Sequence, residues 1–83
     1  MEVGENLSIY QQVTMGQKRN SYPKIGNNLV CYPGSKIIGG IVLGDNITIG
    51  VNSIVLSSFD SNSTLIGIPA KKARNISMEI KDE

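Results

Sequence analysis

The sequence is short of the residues on which many enzyme and nucleic-acid sites depend. It contains no histidine, no tryptophan and one cysteine, and aromatic residues make up 5% of its 83 positions. One cysteine cannot form an internal disulfide, and without histidine the usual sets of metal ligands are missing. Few aromatics leave little with which to stack bases, and the net charge is only +1. We therefore expect no metal and no nucleic-acid partner.

Long apolar segments are also missing. No run approaches the roughly 18 consecutive apolar residues of a membrane span. The N-terminal MEVGENLS has neither the basic start nor the apolar core of a signal peptide. We expect a cytoplasmic protein with no membrane partner. A chain of 83 residues suffices for one domain, and so small a domain buries only about 60% of its unfolded surface, so a lone monomer would be marginally stable.

What the sequence does contain is a period of six residues. Apolar residues or cysteine lead each repeat, in two blocks that are separated by four inserted residues. The leading positions are Val3, Ile9, Met15, Ile25, Cys31, Ile37, Leu43, Ile49 and Val55. Gly follows the lead in five repeats, and Asn or Gly holds the fourth position in six. These residue types tolerate the left-handed backbone of a sharp corner.

This pattern predicts a parallel β-helix. An apolar lead and a small or aliphatic fifth residue can both point inward, and three repeats make one triangular coil of about 18 residues that pairs with the next. We expect about three coils, 3–20, 25–42 and 43–60, with residues 17–24 bulging out as a loop. Residues 1–66 would form the β-helix and residues 67–83 an exit segment and tail. In the tail, Ile76 and Ile80 are spaced to cover an open end of the stack.

Four segments carry a family resemblance. IYQQVTMG, YPKIGNN, GSKIIGGIVLGDNITIGVNSIV and STLIGIPAKKA together resemble the C-terminal part of serine acetyltransferases and related hexapeptide-repeat acyltransferases. The resemblance implies an all-β, left-handed parallel β-helix, although crossovers between parallel strands are normally right-handed. It also implies homotrimers with acetyl-CoA in a groove between subunits. A histidine base would activate the hydroxyl of a small-molecule acceptor for acetyl transfer.

The resemblance assigns roles to individual positions. Cofactor-binding positions would be Ser35, Ser53, Gly67, Ile68, Pro69, Ala70 and Lys71. Lys71 and the adjacent Lys72 would supply point charges for the CoA phosphates. The loop would form a wall of the acceptor site through Lys18, Arg19, Tyr22 and Lys24. Packing of the serines inside the coil, and an ordinary solvated loop, stay open as alternatives.

Two departures from the family bear on activity. The coil that carries the family's catalytic histidine would precede the first coil here, and Tyr22 stands where a second family histidine precedes the loop proline. A phenol titrates at about 10, too high for an efficient base at neutral pH. We therefore expect a truncated acetyl-CoA-dependent O-acetyltransferase that lacks the catalytic histidine, with serine or a sugar hydroxyl as acceptor. The alternative is a non-catalytic trimeric assembly module that retains at most CoA binding.

Overall fold

The computed structural model describes residues 2–73, which form short strands joined by tight corners and contain no helix. The strands are β1 Glu2–Val3, β2 Ser8–Ile9, β3 Thr14–Gly16, β4 Lys24–Ile25, β5 Val30–Cys31, β6 Lys36–Ile38, β7 Val42–Leu43, β8 Thr48–Ile49, β9 Ile54–Val55, β10 Thr64–Gly67 and β11 Ala70–Lys72. Every pairing between them is parallel except that of β10 with β11.

The strands stack into three sheets that form the sides of a triangular coil. Face A contains β1, β4 and β7, face B contains β2, β5, β8, β10 and β11, and face C contains β3, β6 and β9. The first six leads each pair with the lead one coil later, as Ile25 does with Leu43 and Cys31 with Ile49. The parallel β-helix that the period of six predicted is confirmed, and so is the all-β class.

The core runs along the inside of this coil. Buried leads are Ile25, Cys31, Ile37, Leu43, Ile49 and Val55, and buried fifth positions are Leu29, Ser35, Ile41, Ile47 and Ser53. Burying an aliphatic side chain of this size stabilises a fold by about 1.5–3 kcal/mol, which holds together strands too short to persist alone. At the N-terminal end of the stack, Val3 and Ile9 are 39% and 44% exposed.

The stack extends further than the sequence pattern indicated. Phe59 pairs with Leu43 on face A, and β10 places Leu65 beside Ile49 on face B. The structure therefore makes about four turns, where the spacing indicated about three. The step from Val55 to Phe59 is four residues instead of six. Because this corner is shorter, the period of six does not predict the fourth turn.

The C-terminal end is closed by a hairpin. β11 folds back antiparallel to β10, and Ala70 is buried against the core. The proposed division at residues 66 and 67 falls within β10 and stays a prediction. The expected contacts of Ile76 and Ile80 lie outside the described residues.

The corner between faces A and B carries a column of asparagines. Asn6, Asn28, Asn46 and Asn62 hold equivalent places in successive turns, each with φ between 59° and 63°. Asn28 Nδ2 donates to Asn46 Oδ1, and Asn46 Nδ2 donates to Asn62 Oδ1, both at 3.0 Å. We call these four residues the asparagine column. It combines a residue type that tolerates left-handed backbone with side-chain bonds between coils.

Candidate functional site

The four inserted residues fold into a tight hairpin beside face C. Lys18 N donates to Ser21 O and Ser21 N donates to Lys18 O, both at 3.0 Å. Arg19 and Asn20 between them have φ of 53° and 65°, as in the two-residue type I′ turns that suit β-hairpins. We call residues 18–21 the insertion hairpin. The turn places the side chain of Arg19 at its tip.

A glycine of the next coil lets the insertion hairpin lie close to the stack. A Cβ atom at Gly40 would lie 2.6 Å from Ser21 Cβ, which is closer than real Cβ contacts, so a side chain at position 40 would displace the hairpin. Gly39 N donates to Gly16 O at 2.9 Å, just before the hairpin begins. After the hairpin, the buried Pro23 leads back into β4. The insertion is therefore held at both ends.

A groove of about 390 Å³ opens between the insertion hairpin and the end of face C. We call it the hairpin groove. Its lining residues are Lys18, Arg19, Ser21, Ile38, Gly39, Gly40, Ile41 and Leu56. Two cationic side chains and a hydroxyl stand on the hairpin side, and Ile38 and Leu56 provide an apolar wall on face C.

The structure brings together only part of the predicted loop set. Lys18 and Arg19 line the hairpin groove, but Tyr22 and Lys24 do not. Tyr22 is 50% exposed. Lys24 lies on face A, where its Nζ is 3.9 Å from Glu2 Oε2. The groove residues that the sequence reasoning missed are the apolar wall and the glycine pair. The Gly39-Gly40 dipeptide at the corner facing the insertion was the signal that could have found the pair.

Ser35 and Ser53, the predicted cofactor positions, lie at the corner that precedes face C, which we call the serine corner. Each is followed directly by a strand of that face, β6 and β9 respectively. Both side chains are essentially inaccessible, at 0% and 1% exposed. Ser53 Oγ accepts a hydrogen bond from Gly67 N at 3.0 Å, which brings the exit segment to the same corner. Since both hydroxyls point inward, a ligand at this corner would meet backbone groups rather than the serine side chains.

Beside Ser35 lies the single cysteine. Burial raises the pKa of the Cys31 thiol to about 11, and the neighbouring Ser35 hydroxyl opposes that rise only in part. Ser35 Oγ nevertheless makes no hydrogen bond of standard geometry within residues 2–73, so we regard its proximity to the sulfur as a dipolar contact. A buried thiol that stays protonated at neutral pH is not a nucleophile. Cys31 is therefore a core residue.

The exit segment forms the turn between β10 and β11. Gly67 has φ of 110°, the Ile68–Pro69 peptide bond is cis, and Ile68 is 70% exposed. Lys71 is exposed on β11. Lys72 lines a second groove, of about 410 Å³, on the face A side of the C-terminal end. Neither lysine lines the hairpin groove.

Face C connects these features. The serine corner forms its leading edge, and the insertion hairpin follows its trailing edge after β3. Lys36 on β6 is exposed and adds a further cation to this side. The acidic residues among positions 2–73 are Glu2, Glu5, Asp45 and Asp60. All four lie on face A or at the corner between faces A and B, away from the hairpin groove.

Known proteins resemble this chain over most of its length. A serine acetyltransferase of Staphylococcus epidermidis is 45% identical over 71 residues, which is 81% of this chain and 33% of the relative. The solved serine acetyltransferase of Brucella abortus strain S19 superposes with a TM-score of 0.81 at 35% identity, covering 86% of this chain and 30% of that one. A serine acetyltransferase solved in complex with CoA gives 0.73 at 36% identity, covering 81% and 28%. No protein-family model matches.

This chain is a serine acetyltransferase-like hexapeptide-repeat protein. The resemblance carried by the four sequence segments is thereby confirmed. The coil of this serine acetyltransferase-like chain is a left-handed β-helix, as in its structural neighbours. The chain spans about a third of the length of the curated relatives that it matches.

Residues 2–73 contain neither a membrane-spanning helix nor a cluster of metal-ligand side chains. Residues 2–73 include no helix of a length and apolarity that would cross a membrane. Within the same range, no three side chains of His, Cys, Asp or Glu cluster as metal ligands do.

Proposed function

We propose that this chain is the acetyl-CoA-binding β-helix of a serine acetyltransferase-like O-acetyltransferase, although these 83 residues include no histidine. The observation that carries the proposal is the arrangement around face C. The serine corner lies before the strands of face C, and Gly67 of the exit segment is hydrogen-bonded to it. The hairpin groove lies at the other end of these strands. A pantetheine arm along this face would bring a thioester to the groove. The similarity to a serine acetyltransferase solved with CoA supports this reading.

The cofactor would be held mainly by backbone groups. Ser35 and Ser53 are small and turn inward, which leaves their corner open to close approach by a ligand. Gly67 to Ala70 would border the arm, with the exposed Ile68 as an apolar contact. Lys71 and Lys72, both exposed near the end of the stack, would attract the CoA phosphates as point charges.

The transfer itself needs a proton acceptor. The acceptor's hydroxyl oxygen would bond to the thioester carbonyl carbon, the C–S bond would break, and the hydroxyl proton would end on the CoA thiol. A positioned base commonly contributes 10²–10⁴-fold to such a step. With no histidine in the sequence, Tyr22 is the residue to test in this role, and the chain's own contribution is to bind and orient.

The histidine count also favours a second candidate function, a non-catalytic assembly module. In both proposals the chain forms a cytoplasmic homotrimer. Exposed apolar groups on the outside of the coil support self-association, among them the Tyr10–Tyr32 pair on face B, whose ring centroids are 5.2 Å apart, and Val51. A domain of this size gains stability from such burial.

The test is acetyl-CoA titration by calorimetry, on protein whose mass in solution is measured in the same sample by light scattering. We expect saturable binding to a trimer, and weaker binding after Lys71→Gln with Lys72→Gln. Release of free CoA thiol by the wild type, in the presence of serine or a sugar acceptor, separates the enzyme from the module. Comparison with Tyr22→Phe then tests Tyr22 as the base. A folded trimer that binds no acetyl-CoA would refute the proposed function.

A further inference from the structure

The hairpin groove carries charge of one sign. Lys18 and Arg19 line it, and none of the other lining residues within 2–73 is ionisable. The four carboxylates of residues 2–73 belong to face A and the corner beyond it. A cleft lined by one sign of charge concentrates ligands of the opposite sign.

This distribution separates two classes of acceptor. A free amino acid carries an ammonium group beside its carboxylate, and an ammonium that leaves water needs an anionic or strongly accepting partner. Among residues 2–73 of one chain, the lining of the hairpin groove supplies no carboxylate for it. A phosphate monoester carries up to two negative charges and no positive one. Its oxygens match the fork of an Arg guanidinium, and a Lys ammonium adds a point charge.

We propose that the hairpin groove binds a phosphorylated hydroxyl compound without an ammonium group, of the sugar-phosphate class, in preference to a free amino acid. Lys18 and Arg19 hold the phosphate, and Ile38 and Leu56 pack against the carbon skeleton. The groove volume of about 390 Å³ is ample for such a ligand. As an assignment of the acetyl acceptor, the inference rests on the proposed function; as a binding preference, it can be measured on its own.

The type I′ turn fixes the backbone of Arg19 at the tip. Its φ of 53° is uncommon for a residue other than Gly, Asn or Asp, as is the φ of 59° at Gln12. The neighbouring Asn20, with φ of 65°, is a residue type that suits the conformation. An arginine in this place costs stability that an asparagine would not.

The experiment is calorimetric titration with sn-glycerol 3-phosphate, L-serine and glycerol, on free protein and on protein saturated with CoA. Arg19→Asn removes the charge but keeps a residue that favours left-handed backbone, and Lys18→Gln removes the second charge. Asn20→Gly is the matched control, because it changes the same turn without changing its charge. Thermal unfolding followed by circular dichroism checks that each variant is folded.

We expect glycerol 3-phosphate to bind at one site per chain. Serine and glycerol should bind with an affinity at least about tenfold lower. Each charge-removing variant should weaken binding about tenfold, the loss expected for one charge-assisted hydrogen bond. Asn20→Gly should bind like wild type. CoA should leave the affinity for glycerol 3-phosphate unchanged.

Four results would overturn the inference: equal binding of serine, no binding of glycerol 3-phosphate by folded protein, binding that survives both charge-removing variants, or competition with CoA. The last would mean that the two cations serve the cofactor's phosphates. If only the proposed function is wrong, the titrations give a different result. Acetyl-CoA would then not bind, while glycerol 3-phosphate would still titrate the free protein.

Discussion

Ser35 and Ser53 hold the same place in successive coils, but their hydroxyls have different partners. Ser53 Oγ accepts from Gly67 N at 3.0 Å, whereas Ser35 Oγ has no hydrogen bond among the described residues. We expect Ser53→Ala to lower the free energy of unfolding by about 1–2 kcal/mol, because a partly buried N–H loses its acceptor. Ser35→Ala should be neutral or stabilising, because the variant no longer buries an unpartnered hydroxyl. Urea unfolding of both variants measures the difference.

Each serine variant serves as the other's control, since both remove one oxygen atom from equivalent positions. Equal losses of stability in the two variants would contradict the hydrogen-bonding difference. The inward orientation of both residues was predictable, because the period of six assigns them to the fifth position of a repeat. The partner of Ser53 was not predictable, since it depends on the path that the chain takes after the last regular repeat.

The insertion hairpin depends on a close contact with one glycine of the coil beneath it. A methyl group at position 40 would lie 2.6 Å from Ser21 Cβ, so Gly40→Ala has to displace the hairpin or the corner. We expect a loss of about 1–3 kcal/mol in unfolding free energy, as for other overpacked sites. Trypsin cleavage after Lys18 and Arg19 should also become faster, because the displaced hairpin is more accessible.

Gly16 provides the matched control for this prediction. It lies on β3 just before the hairpin, and a Cβ atom there would meet no heavy atom within 4 Å. Gly16→Ala should therefore leave the rate of trypsin cleavage close to that of wild type. Similar rates for Gly40→Ala and wild type would show that the glycine contact does not hold the hairpin.

The sequence predicted where the insertion lies but not its internal geometry. The ten-residue step from Met15 to Ile25 located it. The type I′ turn was not apparent, because Arg-Asn is not the Asn-Gly pair that usually signals such a turn. The assignment of Tyr22 and Lys24 to the acceptor site came from the resemblance to the family's loop. In the structure the chain returns to face A at β4, so Lys24 is carried away from the groove.

Across the whole molecule, the β-helix followed from spacing, because each repeat has to bury its lead and fifth residues in the same coil. The extent of the stack did not follow, since the short corner between Val55 and Phe59 interrupts the period. The spacing also did not predict the handedness of the β-helix, because a period of six is the same in a left-handed and a right-handed coil. The family resemblance supplied it.

The stability of the stack should depend on contacts between neighbouring coils, as in other solenoids. The asparagine column tests this, because Asn46 bonds through its side chain to Asn28 and Asn62 in the adjacent turns. Asn46→Gly keeps a residue that accepts the φ of 59° but removes both bonds, each worth about 0.5–1.5 kcal/mol. We expect a loss of about 1–3 kcal/mol in unfolding free energy by urea titration.

Asn6→Gly separates the loss of these bonds from the effect of glycine itself. Asn6 has φ of 62° and makes no side-chain hydrogen bond within the described part of the chain, so its replacement changes only chain flexibility, which costs about 0.5–1 kcal/mol. The difference between the two variants is the contribution of the column. If they lose the same stability, the column adds nothing to the coupling between coils, and backbone pairing and core burial alone hold the stack together.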